Sequence, residues 1–215
     1  MTTNTIANDQ YSTLFTTECQ RTFHITPYPW QVTVGRTLIQ ASVKKQALKY
    51  LCVCPTGGGK SLVFNTVSAT IKGVTICVCP LLSLGADQSK KVLSKSGTNC
   101  KSIASFHLDE LSSTAIKALK TWLEVSGNLA STSIMIFTSP QAFQNYYYSF
   151  LDYMIVHNMV RLVVVDKIHL VTHFGSSFRK EFEGLKSKLF KAIKSQIPML
   201  FLTATCSTYI ASTLR

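Results

Sequence analysis

The stretch Tyr50-Leu51-Cys52-Val53-Cys54-Pro55-Thr56-Gly57-Gly58-Gly59-Lys60-Ser61 decides how the rest of this chain is read. Tyr50–Cys54 is a short apolar run that suits a buried strand. Three glycines follow, and Lys60-Ser61 opens the helix-capable segment Ser61–Lys72. Strand, glycine loop and helix together form a cradle for phosphate. Glycine reaches positive φ without a Cβ clash, so backbone N–H groups can turn inward on an anion. The helix N-terminus adds the positive end of its dipole. Thr56, Gly57, Gly58, Gly59, Lys60 and Ser61 are therefore the candidate nucleotide-binding residues. Lys60 is placed to bridge the β- and γ-phosphates and Ser61 to ligate Mg²⁺. Cys54 stands where the strict pattern of such loops has its first glycine.

Outward from this loop, β-branched apolar runs alternate with helix-capable segments. The runs are Tyr50–Cys54, Val74–Cys79, Ser102–Phe106, Ile134–Thr138, Leu162–Val165 and Met199–Leu202. The segments between them are Ser61–Lys72, Leu84–Ser94, Ser113–Val125, Gln141–Tyr153 and Phe178–Ser195. Nearly continuous apolar strands alternating with helices predict an α/β fold, a doubly wound and mainly parallel sheet covered on both faces. In such sheets the ligand crevice lies beyond the carboxyl ends of the strands, where the polar residues of interest fall. Tyr146-Tyr147-Tyr148 reads as partial core packing rather than a stacking platform, because neighbouring residues on a helix point in different directions.

The chain has 215 residues, 46% of them hydrophobic and 15% charged, enough for one large domain with a real core. Lysine and arginine number 22 against 10 acidic residues, a net charge of +12 that favours a polyanionic partner. Lys44, Lys45, Lys90, Lys91, Lys186, Lys188, Lys191 and Lys194 are scattered along the chain, and the last four, on one expected helix, read either as an ordinary solvated face or as a backbone-binding stripe. Val74–Leu84, the longest apolar stretch, is broken by Pro80 and too short to span a bilayer, so no membrane partner is expected. Residues 1–20 are polar, lack the apolar core of a secretion signal, and read as a loose arm before a domain over 21–215. Seven cysteines, four of them alternating within strands as Cys52, Cys54, Cys77 and Cys79, read as buried small hydrophobes rather than metal ligands. That usage implies an intracellular location, nuclear or cytoplasmic.

Downstream, Leu162–Val165 runs into Asp166-Lys167-Ile168-His169. A carboxylate at the end of a buried strand, following a phosphate loop, is the second half of a nucleotide site and a ligand for Mg²⁺. Asp-x-x-His in this position resembles the DEAD/DEAH-type box of superfamily 2 helicases, in which the second residue is glutamate. In that family the glutamate polarises the attacking water. Lys167 cannot accept a proton while charged, and general-base assistance is worth about 10²–10⁴-fold.

The resemblance extends over roughly residues 25–210, with six motifs in order. Pro29-Trp30-Gln31 resembles the upstream motif whose glutamine reads the adenine edge, which assigns Gln31 to the nucleotide. Cys79-Pro80-Leu81-Leu82-Ser83-Leu84 with Asp87-Gln88 is similar to the Ser-Pro-Leu-x-Ser-Leu-x-x-Asp-Gln stretch of RecQ-like helicases. Thr138-Ser139-Pro140 resembles the motif that touches the nucleic-acid backbone. Phe174-Gly175-Ser176-Ser177-Phe178-Arg179 resembles the aromatic-rich loop that couples single-strand binding to hydrolysis, with Phe174 where tryptophan is usual. Thr203-Ala204-Thr205 matches the motif linking nucleotide state to strand handling. The resemblance thus implies the first RecA-like domain of a RecQ-like helicase, with ATP and Mg²⁺ as cofactors. Pro80, Ser83, Asp87, Gln88, Thr138, Ser139, His169, Phe174, Phe178, Arg179, Thr203 and Thr205 would serve nucleic acid and coupling. It also implies a single-stranded nucleic acid partner, DNA favoured over RNA. The strand pattern is not duplicated within the chain, so the second RecA-like lobe of the family is expected in trans or in a longer chain. With that lobe and the glutamate both missing, the expected alternative is a pseudo-helicase that binds ATP and single strands without turnover.

Overall fold

The computed structural model describes residues 9–79, 103–125, 127–143, 147–168 and 196–205. Their strands are β1 (Lys49–Val53), β2 (Gly73–Val78), β3 (Ile103–His107), β4 (Ser133–Thr138), β5 (Val160–Val165) and β6 (Met199–Thr203). The helices are α1 (Asp9–Phe23), α2 (Pro29–Val43), α3 (Lys60–Ile71), α4 (Ser113–Glu124), the single turn α5 (Asn128–Ser131) and α6 (Tyr148–Val156). The six strands form one sheet in the order β1-β6-β5-β2-β4-β3, and every neighbouring pair is parallel. The expected doubly wound parallel sheet is therefore present, with each described strand within two residues of its expected position.

Alternation along the strands sorts the core into two layers. Val74, Ile76 and Val78 of β2 pack with Ile134 and Ile136, Val163 and Val165, and the helical residues Leu119 and Leu123 of α4 and Leu151 and Met154 of α6. Cys77 and Cys79 lie on the opposite face with Met135, Phe137, Leu162, Val164, Leu200 and Leu202, covered by α1, α2 and α3. Strands β2, β4 and β6 are buried at every position, which is why their sequences show no polar alternation. Cys52, Cys54, Cys77 and Cys79 all belong to the α1–α3 layer and are free thiols. Two strands separate β1 from β2. At about 4.8 Å per strand, that spacing keeps the two cysteine pairs beyond disulfide reach. No metal-binding cluster of His, Cys, Asp or Glu occurs among the described residues, and no described helix is long and apolar enough to cross a membrane.

The loose arm expected over residues 1–20 is corrected from residue 9 onward, because Asp9–Phe23 is helical. Phe15, Cys19 and Phe23, spaced four apart on one face, are buried in the α1–α3 layer. Gly35 on α2 makes the docking close: a Cβ there would lie 2.2 Å from the Phe15 ring. The segment Pro29–Val43, given no helix by the sequence reading, is α2. Pro29 starts it at N1, and the Gln31 side chain accepts from the Tyr28 N–H at 2.7 Å, closing the first turn. The single helix expected over Gln141–Tyr153 is instead a 3₁₀ turn at Pro140–Phe143 followed by α6. Tyr147 and Tyr148 are partly buried against the core, as expected, and Tyr146 lies outside the described residues. Between α4 and β4, α5 forms one turn.

Candidate functional site

Because all strands run one way, the loops after β1, β4, β5 and β6 gather on a single edge of the sheet. The phosphate loop follows β1. Gly57 and Gly59 both have φ of 82°, in the left-handed region, and Gly59 caps the N-terminus of α3. The Gly58 N–H bonds back to the Pro55 carbonyl at 3.1 Å. A Cβ on residue 58 would sit 2.4 Å from Cys54 Sγ, whereas a Cβ on Gly57 would meet nothing within 4 Å. The floor of the loop is thus packed by the Cys54 sulfur and its mouth is open. Thr56 and Gly57 are exposed, while Lys60 and Ser61 are half-buried in the first turn of α3. Lys60 Nζ donates to the carbonyls of Cys54 and Pro55 at 2.7 and 2.8 Å. A phosphate oxygen is a stronger acceptor for the same ammonium, since both partners would then be charged.

Gln31 lies against this loop. It is 1% exposed, and its Nε2 donates to the Gly59 carbonyl at 3.0 Å while its Oε1 accepts from Tyr28. The side chain assigned to adenine therefore fastens α2 to the phosphate loop.

The acidic turn follows β5. The Asp166 N–H donates to the Val78 carbonyl and the Ile168 N–H to the Leu202 carbonyl, both at 3.0 Å. Lys167 occupies a left-handed position (φ 53°), and its N–H donates to Asp166 Oδ1 at 2.9 Å. Both side chains are half-buried. Strand β6 lies between this turn and the phosphate loop and holds both, since the Cys54 N–H donates to the Thr203 carbonyl at 3.0 Å. The Thr203 hydroxyl, fully buried, donates to the Thr205 carbonyl, and the Thr205 N–H donates back to that hydroxyl at 3.3 Å. One strand end thus connects the phosphate loop, the acidic turn and the Thr203–Thr205 turn. Ser61 and Asp166 offer a hydroxyl and a carboxylate, hard oxygen donors that fit Mg²⁺.

On the far side of β2, Thr138 ends β4 and Ser139 follows it, both buried. Asp109 accepts from Ser139 twice, from the N–H at 3.0 Å and from the hydroxyl at 2.7 Å. Sequence reasoning missed Asp109, whose only signal was a carboxylate two residues beyond an edge strand. Burial pushes the Cys79 thiol far up; Asp166 adds to the rise, Lys167 opposes it, and Asp109 adds again. Asp109, Asp166 and Lys167 thus all act on one thiol at this edge.

Pro80, Ser83, Asp87, Gln88, His169, Phe174, Phe178 and Arg179 lie outside the described residues, as do Lys90, Lys91, Lys186, Lys188, Lys191 and Lys194. So do the helical segments expected at Leu84–Ser94 and Phe178–Ser195. Lys45 lines a cavity of about 180 Å³ with Val160 and Arg161, at the start of β5. It is therefore on the edge of the sheet opposite the phosphate loop.

Residues 37–213 match the DEAD/DEAH box helicase family. The chain belongs to that family. It is 32% identical over 161 residues to ATP-dependent DNA helicase Q-like 5 of Arabidopsis thaliana, covering 74% of this chain and 16% of that protein. It is 33% identical over 165 residues to ATP-dependent helicase SGS1 of Saccharomyces cerevisiae, covering 73% of this chain and 10% of that one. The chain therefore spans a small part of the length of these relatives. Among solved structures, a DEAD box protein from Methanococcus jannaschii superposes with a TM-score of 0.52 at 17% identity, over 84% of this chain and 45% of that one. The fold is that of a RecA-like helicase domain, and the relatives are RecQ-like.

Proposed function

We propose that this chain is the ATP-gripping lobe of a RecQ-like DNA helicase, with hydrolysis curtailed at the acidic turn. The observation that carries the proposal is Lys167, directly after Asp166 on the turn that β6 ties to the phosphate loop. Thr56 to Ser61, with Gln31 bracing Gly59, would hold the triphosphate, and Lys60 would exchange its two carbonyl partners for phosphate oxygens. Mg²⁺, held by Ser61 and Asp166, would neutralise phosphate charge. Lys167 puts a cation where general-base assistance worth about 10²–10⁴-fold would otherwise arise. The Arabidopsis thaliana relative is by name a DNA helicase, and together with the net charge of +12 that favours single-stranded DNA as the partner. Arginine supplied by a second lobe is worth about 10³–10⁵-fold in related phosphoryl transfers, so a lobe in trans or in a longer chain would complete the site. Lys167 equally supports a second reading, a pseudo-helicase that grips ATP and single strands without turnover.

ATP affinity and turnover of the natural chain, Lys60→Ala and Lys167→Glu, with and without single-stranded DNA, test both. Binding that needs Lys60, negligible turnover, and a gain of hydrolysis in Lys167→Glu support the proposal. Fast strand-stimulated turnover by the natural chain would remove the curtailed-hydrolysis reading, and absence of ATP binding would remove both.

A further inference from the structure

Ser139 carries the contact assigned to a nucleic-acid backbone, yet its two donors are already engaged. Its N–H and hydroxyl both donate to the carboxylate of Asp109, at 3.0 and 2.7 Å, one to each oxygen. Asp109 belongs to the 3₁₀ turn Leu108–Glu110 that follows the edge strand β3. Two oxygens of an anion accepting from adjacent N–H and O–H groups is also how the non-bridging oxygens of a phosphodiester are held. Ser139 is 1% exposed, so a strand cannot reach its donors while the carboxylate covers them.

We infer that Asp109 is an internal phosphate mimic. It occupies the backbone-phosphate position at Ser139, and a single strand must displace it to bind this loop. The inference rests on the nucleic-acid reading above. Its competitor is that Asp109 merely caps the 3₁₀ turn Pro140–Phe143, which begins next to Ser139. Glu110 separates the two ideas from a simple charge effect. It is the adjacent carboxylate, its side chain is 61% exposed against 13% for Asp109, and it makes no bond to Ser139.

The test is fluorescence anisotropy of a labelled oligothymidylate titrated with the full chain, as natural protein, Asp109→Asn, Glu110→Gln, Ser139→Ala and Asp109→Asn/Ser139→Ala. Asp109→Asn keeps the shape and one acceptor but loses the charge that competes with phosphate. The expected result is about 5- to 10-fold tighter binding for Asp109→Asn, given the strength of charge-assisted bonds, with less than about 2-fold for Glu110→Gln. The gain should vanish when Ser139 is also replaced. Equal gains from Asp109→Asn and Glu110→Gln would reduce the effect to net charge and overturn the inference. Weaker binding by Asp109→Asn, with a lowered melting temperature, would establish the capping role instead. If Asp109→Asn does not fold, Asp109→Ser gives the same comparison. Oligonucleotide binding by the natural chain with no gain in either variant sinks this inference alone. Failure of every variant to bind sinks the nucleic-acid reading and this inference with it.

Discussion

The side-chain amide of Gln31 donates to the Gly59 carbonyl at 3.0 Å while its oxygen accepts from the Tyr28 N–H at 2.7 Å. One buried side chain thus joins the start of α2 to the residue that caps α3. Gln31→Ala removes both bonds and leaves two backbone groups to find new partners. Each such orphan costs about 1–3 kcal/mol. Urea unfolding should show Gln31→Ala less stable by at least about 1 kcal/mol, with weaker ATP binding. Unchanged stability with lost ATP binding would mean that Gln31 serves the nucleotide only.

Cys54 and Gly58 constrain one another. A Cβ at residue 58 would lie 2.4 Å from the sulfur and 3.1 Å from the Pro55 carbonyl. Gly58→Ala should cost about 1–3 kcal/mol through overpacking and weaken nucleotide binding. Adding Cys54→Ala removes the sulfur and should recover part of both losses. A thermodynamic cycle over the four proteins measures the coupling, and strictly additive effects would show that the sulfur is not the obstacle.

Phe15 bears on Gly35 closely enough that a Cβ would stand 2.2 Å from its ring. Gly35→Ala should therefore destabilise the protein by about 1–3 kcal/mol, although alanine is the better helix former. Phe15→Ala, which empties a fully buried position, should cost about 3–5 kcal/mol. The double variant should lose less than the sum, because the new methyl enters space the ring vacates. Thermal melts decide it, and a neutral Phe15→Ala would mean that α1 is not docked in solution.

Burial pushes the thiols of Cys77 and Cys79 well up; Cys79 and then Asp166 add to the rise at Cys77, and Asp166 adds to it at Cys79. Unfolded cysteine ionises near pH 8.5, so above that pH the unfolded chain releases protons that the folded chain keeps. The stabilising contribution is whole below about pH 8.5 and is lost as pH rises toward the folded values, by up to about 1.4 kcal/mol per pH unit for each thiol. Urea unfolding between pH 7.5 and 10.5 should show this decline, flattened in Cys77→Ala/Cys79→Ala. Equal slopes for the two proteins would place the thiols in contact with water.

How much was legible differed by element. Strands β2, β4 and β6 were read to within two residues because burial on both faces leaves uninterrupted apolar runs. The phosphate loop was legible because positive φ at Gly57 and Gly59 demands a residue type that sequence displays directly. Helix α1 was misread since only Phe15, Cys19 and Phe23 mark its buried face, amid threonines, acids and glutamines. Helix α2 was missed for a related reason: buried Val34, Leu38 and Ile39 are spread among polar and small residues. Asp109 could not be found at all, because its meaning comes from Ser139, thirty positions away.

By itself, the sequence determined the class of fold, the family, the phosphate loop and the substitution at Lys167, since each rests on residue types at short spacing. The tertiary structure decided which of those residues face one another. It turned Gln31 toward Gly59, held Lys60 on the loop carbonyls, laid β6 between the phosphate loop and the acidic turn, and closed Asp109 over Ser139. The physical reason is that these contacts join elements brought together only when the parallel sheet forms. Hydrogen-bond geometry between distant segments is fixed by strand order and register, and local pattern carries neither.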